Sequence, residues 1–178
     1  MAKYRKLSRT SSQRKALIRG QVTALIANGK IVTTEAKAKE IRKVAEGLIA
    51  AAVREKDNFD EVTVTAKVAR KDADGKRVKE VVDGKKVTVY DEVEKEIKKD
   101  KASRLHARRQ MLKVLYDVTD VPTARAGKKK NTKKVDMPAK LFDELAPKYA
   151  NRNGGYSRIV KIGQRKGDGA MEVLLELV

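Results

Sequence analysis

Basic side chains at helical spacing are the clearest chemical signal in the sequence. Arg104, Arg108 and Arg109 occupy positions i, i+4 and i+5 of a helical pattern, opposite the side that carries Leu105 and Leu112. Guanidinium groups bind phosphate oxygens through paired hydrogen bonds. Three of them on one helix face therefore predict contacts with a nucleic-acid backbone.

A second basic region is predicted near the C-terminus. Tyr156 and Arg158 are two residues apart in a strand-like segment, so we expect them to share a face. The glycine-rich stretch 163–169 follows that strand and carries Arg165 and Lys166. It lacks the Gly-Lys-Ser/Thr ending of a nucleotide P-loop and opens no helix. We interpret it as a hairpin turn that presents two cations.

Catalytic chemistry has little support in the residue types. The chain has no Cys, which excludes disulfides, thiolate metal sites and cysteine nucleophiles. His106 is its one histidine and has no second His or paired carboxylates beside it. An RNA-cleaving enzyme would need carboxylates such as Asp117, Asp120 and Asp168 on one basic face, and we expect no nuclease activity from them. The sequence predicts no catalytic residue, metal ligand, cofactor or small-molecule substrate.

The net charge is large and unevenly distributed. The 178 residues carry a formal charge of +19, and 38% of them are charged. Residues 1–56 and 101–178 each have a net charge of +10, whereas residues 57–100 have a net charge of −1. Such an excess predicts a polyanionic partner, and the scattered aromatic residues argue against a single-strand reader that stacks bases. We expect recognition of folded RNA or duplex through shape and phosphate contacts.

No segment is predicted to cross or enter a membrane. No apolar stretch approaches the roughly 20 residues that a bilayer requires. The basic N-terminus is not followed by an apolar region, so it does not have the form of a secretory signal. We therefore expect a soluble, intracellular protein without a membrane partner.

The helical and strand elements that must position these cations begin after a basic extension at residues 1–9. Thr10 and Gln13 form a capping-box pattern, and the helix that follows ends at Asn28-Gly29. Residues 31–33 suit a short strand. A helix follows with one apolar stripe at helical spacing, formed by Ile41, Val44, Ala45, Leu48, Ile49, Ala52 and Val53.

The neutral segment 57–100 switches to a period of two. Its apolar alternation and its Asp-Gly turns predict an inserted three-stranded antiparallel meander that ends at Tyr90. From Asp91 a helical spacing resumes at Val93 and Ile97 and continues to Leu115 and Tyr116. We predict one long helix or two abutting helices there.

The remaining pattern completes the fold. Residues 118–137 are predicted to be a loop, whose Lys128-Lys129-Lys130 run is either solvated or a phosphate-binding tail. Pro138 opens a short helix that we expect to stop at Pro147, and two strands follow at 156–162 and 171–178. The prediction is an α+β, two-layer α-β-α3-β2 domain over 10–178, with the inserted meander and the basic N-terminal extension.

Six segments, in order along the chain, resemble one known family. They are Arg9–Leu17, Ile31–Glu40, Leu105–Arg109, Leu141–Pro147, Gly154–Ile159, and Gly167-Asp168 with Leu175–Val178. Together they resemble the bacterial large-subunit ribosomal protein seventeen family over residues 3–56 and 101–178. The resemblance implies the same α-β-α3-β2 order and a structural role in the large ribosomal subunit. It also implies contacts with large-subunit rRNA and with neighbouring ribosomal proteins near the tunnel-exit side.

The rRNA-binding residues that we expect combine this resemblance with the basic patterns. The resemblance implies Arg5, Lys6, Arg9, Ser12, Gln13, Arg14 and Arg19, and then Arg108, Arg109, Arg152, Tyr156 and Arg158. The expected set also includes Tyr4, Arg104, Arg165 and Lys166. A DNA-architectural or general nucleic-acid-binding protein is the alternative that the same charge would serve.

The sequence departs from the family pattern in two ways. Ser8 stands where the family usually has Gly, and residues 57–100 and 120–137 are longer than the compact family pattern. Because residues 57–100 are neutral, we expect them to face solvent on the subunit surface rather than rRNA.

Overall fold

The computed structural model describes residues 5–82, 84–122 and 132–178. The chain forms two compact units: a main unit, built from the described residues up to Asn58 and from Ala102 onward, and a hairpin unit, Phe59–Lys101. In chain order the elements are α1 (Ser11–Asn28), β1 (Lys30–Thr34), α2 (Glu35–Glu55), β2 (Phe59–Ala69), β3 (Lys79–Val82), β4 (Lys85–Thr88), β5 (Tyr90–Asp100), α3 (Ala102–Val114), β6 (Val118–Asp120), β7 (Lys133–Val135), α4 (Met137–Lys140), a π-helical turn (Leu141–Leu145), α5 (Ala146–Lys148), β8 (Ser157–Gln164) and β9 (Met171–Leu177). The predicted α+β class is confirmed.

The first helix begins and ends at the residues that the sequence predicts. The Thr10 side chain accepts a hydrogen bond from the Gln13 backbone, and the Gln13 side chain accepts one from the Thr10 N–H, which completes the capping box. At the other end Gly29 adopts a left-handed conformation with φ of 76° and donates its N–H to the Leu25 carbonyl. A glycine suits this position because a side chain would be strained there.

The main unit packs its helices on one face of a three-stranded antiparallel sheet with the order β1-β9-β8. The apolar stripe of α2 lies at the centre, with Ile41, Ala45, Ile49 and Ala52 inaccessible to solvent. The same core contains side chains from α1, α3, α4, the π-helical turn and β9, namely Val22, Leu25, Ile26, Met111, Met137, Leu141, Phe142, Val173 and Leu175. The 3.6-residue stripe thus identified the buried face of α2.

The strand pairing of the hairpin unit differs from the predicted three-stranded meander. Strand β2 pairs with β5 along its whole length, from Phe59 opposite Asp100 to Ala69 opposite Tyr90, and β3 pairs with β4. Residues 91–100, predicted to be helical, are therefore strand. Val93 and Ile97 are four residues apart, a spacing that places side chains on one face of a helix and also on one face of a strand.

Two further boundary predictions were wrong. The ends of the predicted loop 118–137 pair as strands, with Val118 opposite Val135, while the Lys128-Lys129-Lys130 run lies outside the described residues. The helical path does not stop at Pro147 but continues to Lys148. Pro147 is tolerated because it lies in the first turn of α5, just after the π-helical turn, where its missing N–H costs little.

We predict that Thr10→Ala lowers the free energy of unfolding by about 1 kcal/mol, because the helix loses its N-terminal cap. Thermal unfolding followed by circular dichroism measures the change. Ser11→Ala is the matched control, since Ser11 is exposed in the first turn of the same helix. An equal effect of the two substitutions would contradict the capping role.

Candidate nucleic-acid interface

A groove with a cationic rim lies in the main unit along α1. It has a volume of about 260 Å³ and is lined by Ser11, Arg14, Lys15, Ile18, Arg19, Val44, Lys113 and Val114. We call this feature the basic groove: its rim is formed by Arg14, Lys15, Arg19 and Lys113, and its apolar floor by Ile18, Val44 and Val114. The lining includes no acidic side chain.

Arg19 holds the two helices of the basic groove together. Its Nε donates to the Val114 carbonyl at 3.0 Å and one terminal nitrogen donates to the Leu115 carbonyl at 3.5 Å. These carbonyls lie at the C-terminal end of α3, where the helix dipole favours a positive charge. The guanidinium also lies 4.2 Å from the centre of the Tyr116 ring. Arg19 is thus committed to contacts within the protein.

Thr23 reinforces the same junction. Its buried hydroxyl donates to the Arg19 carbonyl at 2.8 Å and accepts the Tyr116 backbone N–H at 3.0 Å. The second bond satisfies a backbone donor just beyond α3 that would otherwise be buried without a partner. The relative position of α1 and α3 is therefore set by two side chains one helical turn apart.

The other cations around the groove remain available to an anion. Within the described ranges, Lys6, Arg9, Arg14, Lys15, Arg109 and Lys113 have no acidic side chain within 4 Å. Arg109 and Lys113 are exposed and lie one turn apart on α3. Sequence reasoning missed Lys15 and Lys113 as site residues. The spacing of Arg109 and Lys113 was the signal that could have identified Lys113.

The residues before α1 have partly structural contacts. Arg5 is exposed and its Nε lies 3.7 Å from Glu40, whose side chain is only 3% exposed. Lys43 lies 3.6 Å from the same carboxylate. Ser12 and Gln13 are exposed, although the Gln13 side chain is used in the capping box. Tyr4 lies outside the described residues.

The predicted arginine face of α3 is wrong in its orientation. Arg104 is 2% exposed, and its guanidinium lies 4.5 Å from the centre of the Phe142 ring. Arg108 is half-buried over the same ring and pairs with Asp136 at 3.3 Å. Leu112, predicted to be on the buried side, is 51% exposed. Stacking on an aromatic ring allows a guanidinium to be buried, which a pattern of apolar residues does not reveal.

The shared face predicted for Tyr156 and Arg158 is also wrong. Tyr156 precedes β8 and is 5% exposed; its hydroxyl donates to the Arg152 carbonyl, and its ring packs edge-on against Tyr149. Arg158 is exposed and pairs with Glu176 at 2.6 Å on the neighbouring strand. Tyr156 is therefore a core residue, whereas the Arg152 side chain is exposed.

The β8–β9 turn presents two cations, of which Arg165 is paired with carboxylates. Arg165 lies 2.6 Å from Asp168 and 3.5 Å from Glu172, while Lys166 is exposed. The Arg165 hydrogen bonds, with help from the Ala170 N–H, lower the pKa of Asp168 to about 2. At neutral pH Asp168 is therefore ionised and neutralises Arg165, whereas the neighbouring Lys166 has no acidic side chain within 4 Å among residues 5–82, 84–122 and 132–178.

The described residues offer little support for a catalytic histidine, a metal site or a membrane-spanning helix. His106 is exposed, with its Nε2 3.4 Å from the Gln110 side-chain nitrogen. Residues 5–82, 84–122 and 132–178 contain no group of three His, Cys, Asp or Glu side chains close enough to hold a metal ion. No helix among them has both the length and the apolar character needed to span a membrane.

Comparison with known proteins identifies the relatives of this chain. Residues 17–178 match the family described as Ribosomal protein L17. The chain is 79% identical to the large ribosomal subunit protein bL17 of Lachnospira eligens and 46% identical to that of Acetivibrio thermocellus, with both members of each pair covered completely. It is 41% identical to the bL17 protein of Listeria innocua, with 98% of each chain covered. Residues 57–100 lie inside the complete alignments.

We predict that Arg19→Gln lowers the free energy of unfolding by about 1–2 kcal/mol, since the charged hydrogen bonds to the end of α3 are lost. Arg14→Gln on the same helix is the control and should change it by less than about 0.5 kcal/mol. Urea unfolding measures both. A destabilisation by Arg14→Gln as large as that by Arg19→Gln would show that the junction does not depend on Arg19.

We predict that the Asp168 carboxyl titrates near pH 2 and that Arg165→Gln moves its pKa back towards the ordinary value of 3.8. Because the folded pKa is depressed, the stabilisation from this pair is present above about pH 4 and is lost as the pH falls towards 2. Carboxyl NMR titration measures the pKa. Lys166→Gln should leave it low, and a normal pKa in the wild-type chain would exclude the pair in solution.

Proposed function

The chain belongs to the ribosomal protein L17 family, and on this basis we propose that it is a structural constituent of the large ribosomal subunit that binds and stabilises large-subunit rRNA. The family consists of structural ribosomal proteins, so the protein is not an enzyme. Its partners are rRNA and neighbouring proteins of the subunit. Its location is accordingly the bacterial cytoplasm, and we further propose that it sits near the tunnel exit.

The observation that carries the rRNA interface is the unneutralised charge along α1 and the adjoining part of α3. Besides the internally bonded Arg19, the rim of the basic groove carries Arg14, Lys15 and Lys113, and its lining includes no acidic side chain. Lysine and arginine side chains that bind phosphates at such a surface release the counterions condensed on the RNA, which supplies a large share of the binding free energy. The proposed phosphate contacts are Lys6, Arg9, Arg14, Lys15, Arg109, Lys113, Arg152 and Lys166, with Arg5, Ser12 and Gln13 beside them.

Several residues expected at the interface instead make contacts within the protein. Arg19, Arg104 and Tyr156 support the fold, because their polar groups are bonded or buried within the protein. Arg108, Arg158 and Arg165 are paired with carboxylates, so a phosphate would have to compete with those partners. We assign these three at most a secondary part in binding.

The proposed organisation of the chain follows the distribution of net charge along the sequence. We propose that residues 1–9 are a basic N-terminal extension of a single domain, 10–178, interrupted by the inserted segment 57–100 and the lysine-rich segment 118–137. The inserted segment has a net charge of −1 and therefore gains little from phosphate contact. We propose that it faces solvent in the subunit.

Sedimentation of the tagged full chain tests the function. We expect it to travel with large subunits through a sucrose gradient, at one copy per subunit, and to stay bound after a high-salt wash. Release to the top of the gradient, or sedimentation with chromosomal DNA, would favour a general DNA-binding protein instead.

A charge-matched pair of variants tests the site. The triple substitution of Arg9, Arg14 and Lys15 by Gln should reduce the slope of log affinity against log salt by about three, one for each lost phosphate contact. The same substitution at Lys85, Lys86 and Lys99 of the hairpin unit removes the same charge from the +19 chain. Filter binding to large-subunit rRNA measures both slopes. Equal slopes for the two variants would mean that only net charge matters and that α1 is not the interface.

A further inference from the structure

The basic groove has a property that phosphate binding alone leaves unexplained. Its floor consists of three aliphatic side chains, Ile18, Val44 and Val114, while its rim is cationic. Phosphate oxygens gain nothing from contact with aliphatic groups. A ligand that uses both parts must combine a flat apolar surface with adjacent negative charge.

We propose that the basic groove holds a single unpaired nucleotide of the rRNA, with its base on the aliphatic floor and its flanking phosphates on the rim. This inference rests on the proposed function and makes its site more specific. It assigns to Ile18, Val44 and Val114 a role in recognition, and to Arg14, Lys15 and Lys113 the neutralisation of the neighbouring phosphates.

Charge complementarity favours a nucleotide over an apolar segment of a neighbouring protein. The rim contributes Arg14, Lys15 and Lys113 beside the internally bonded Arg19, and the lining contains no acidic group that would lessen their combined field. An apolar protein segment would have to desolvate those cations without neutralising them, which is costly. A nucleotide brings one phosphate on each side of its base, so its charge falls where the rim lies.

The shape of the groove favours an extruded nucleotide over a continuous helix. The bases of an A-form duplex are stacked inside it, and proteins reach mainly its backbone and its shallow minor groove. Only a base turned out of the stack can enter a recess. The volume of about 260 Å³ suits one ring system rather than a run of stacked bases.

The groove is fixed before any ligand arrives. Arg19 is held by two carbonyls and by the Tyr116 ring, and Thr23 fixes the backbone on either side of it. Because these contacts set the spacing of α1 and α3, the floor and the rim keep their separation. A preorganised recess loses less entropy when it binds its ligand.

Three related RNAs test the proposal on the full chain. The first is a perfect duplex, the second has a single unpaired adenosine, and the third has an abasic residue at the same bulge. We expect the adenosine bulge to bind at least about five-fold more tightly than the other two, because its base buries apolar area against the aliphatic floor. Fluorescence anisotropy at constant salt measures the three affinities.

A matched pair of substitutions locates the effect. Val44→Thr puts a hydroxyl on the floor with almost no change of shape and should abolish the preference for the adenosine bulge. Val32→Thr makes the same change on the solvent-facing side of the sheet, where Val32 is 59% exposed, and should preserve it. Lys113→Gln should weaken binding to the adenosine and abasic bulges equally.

A second measurement covers the case in which Val44→Thr disturbs the fold. Methyl NMR of the wild-type chain follows Ile18 and Val114 as adenosine monophosphate or ribose 5-phosphate is added. We expect shifts of these methyl groups with the nucleotide and much smaller ones with the sugar phosphate. Equal affinities for the three RNAs, together with equal shifts from the two ligands, would overturn the proposal and leave the floor for a protein partner. Failure to bind any of these RNAs or to join the large subunit would instead overturn the proposed function.

Discussion

The packing of the main unit depends on the burial of the apolar stripe of helix α2. Ile41, Ala45, Ile49 and Ala52 of α2 are inaccessible to solvent, and α1, α3, the π-helical turn and the sheet all pack around that helix. The residues packed around this stripe are mainly aliphatic, because only 4% of the chain is aromatic. Each fully buried isoleucine or leucine side chain contributes about 1.5–3 kcal/mol, and an alanine contributes less. The alanines in the stripe allow the neighbouring elements to approach closely, and α1 and α3, which line the basic groove, both pack against α2.

Acidic and basic residues are distributed unevenly over the surface of the main unit. Acidic residues of the main unit lie next to particular arginines: Asp136 beside Arg108, Asp168 beside Arg165, and Glu176 beside Arg158. Helix α1 contains no acidic residue, so its cations repel one another without local compensation. This repulsion destabilises the isolated protein and is relieved when a polyanion binds. We therefore propose that phosphate contacts at this surface relieve that repulsion in the subunit.

Local signals account for the parts of the fold that sequence reasoning predicted. The ends of α1 and the buried face of α2 follow from contacts within a few residues, namely the capping box, a left-handed glycine and a regular apolar period. The errors come from contacts between distant residues. The identity of β5 depends on its partner β2, about 30 residues earlier, and its four-residue apolar spacing fits either structure. The burial of Arg104 depends on Phe142, which lies in another element.

The difference in burial between Arg19 and Arg104 on one side and Lys15 and Lys113 on the other has a physical reason. The guanidinium is flat, weakly hydrated and able to stack, so Arg19 and Arg104 lie against Tyr116 and Phe142 within the fold. The ammonium of lysine is compact and strongly hydrated, and it is buried at greater cost. Lys15 and Lys113 accordingly remain at the rim of the basic groove. A count of basic residues therefore overestimates the number of side chains available to phosphates wherever an arginine contacts an aromatic ring or a backbone carbonyl. Arg19 holds α1 against the end of α3, and Arg104 holds α3 against the π-helical turn, so these two arginines fix the elements that carry the exposed cations of the basic groove.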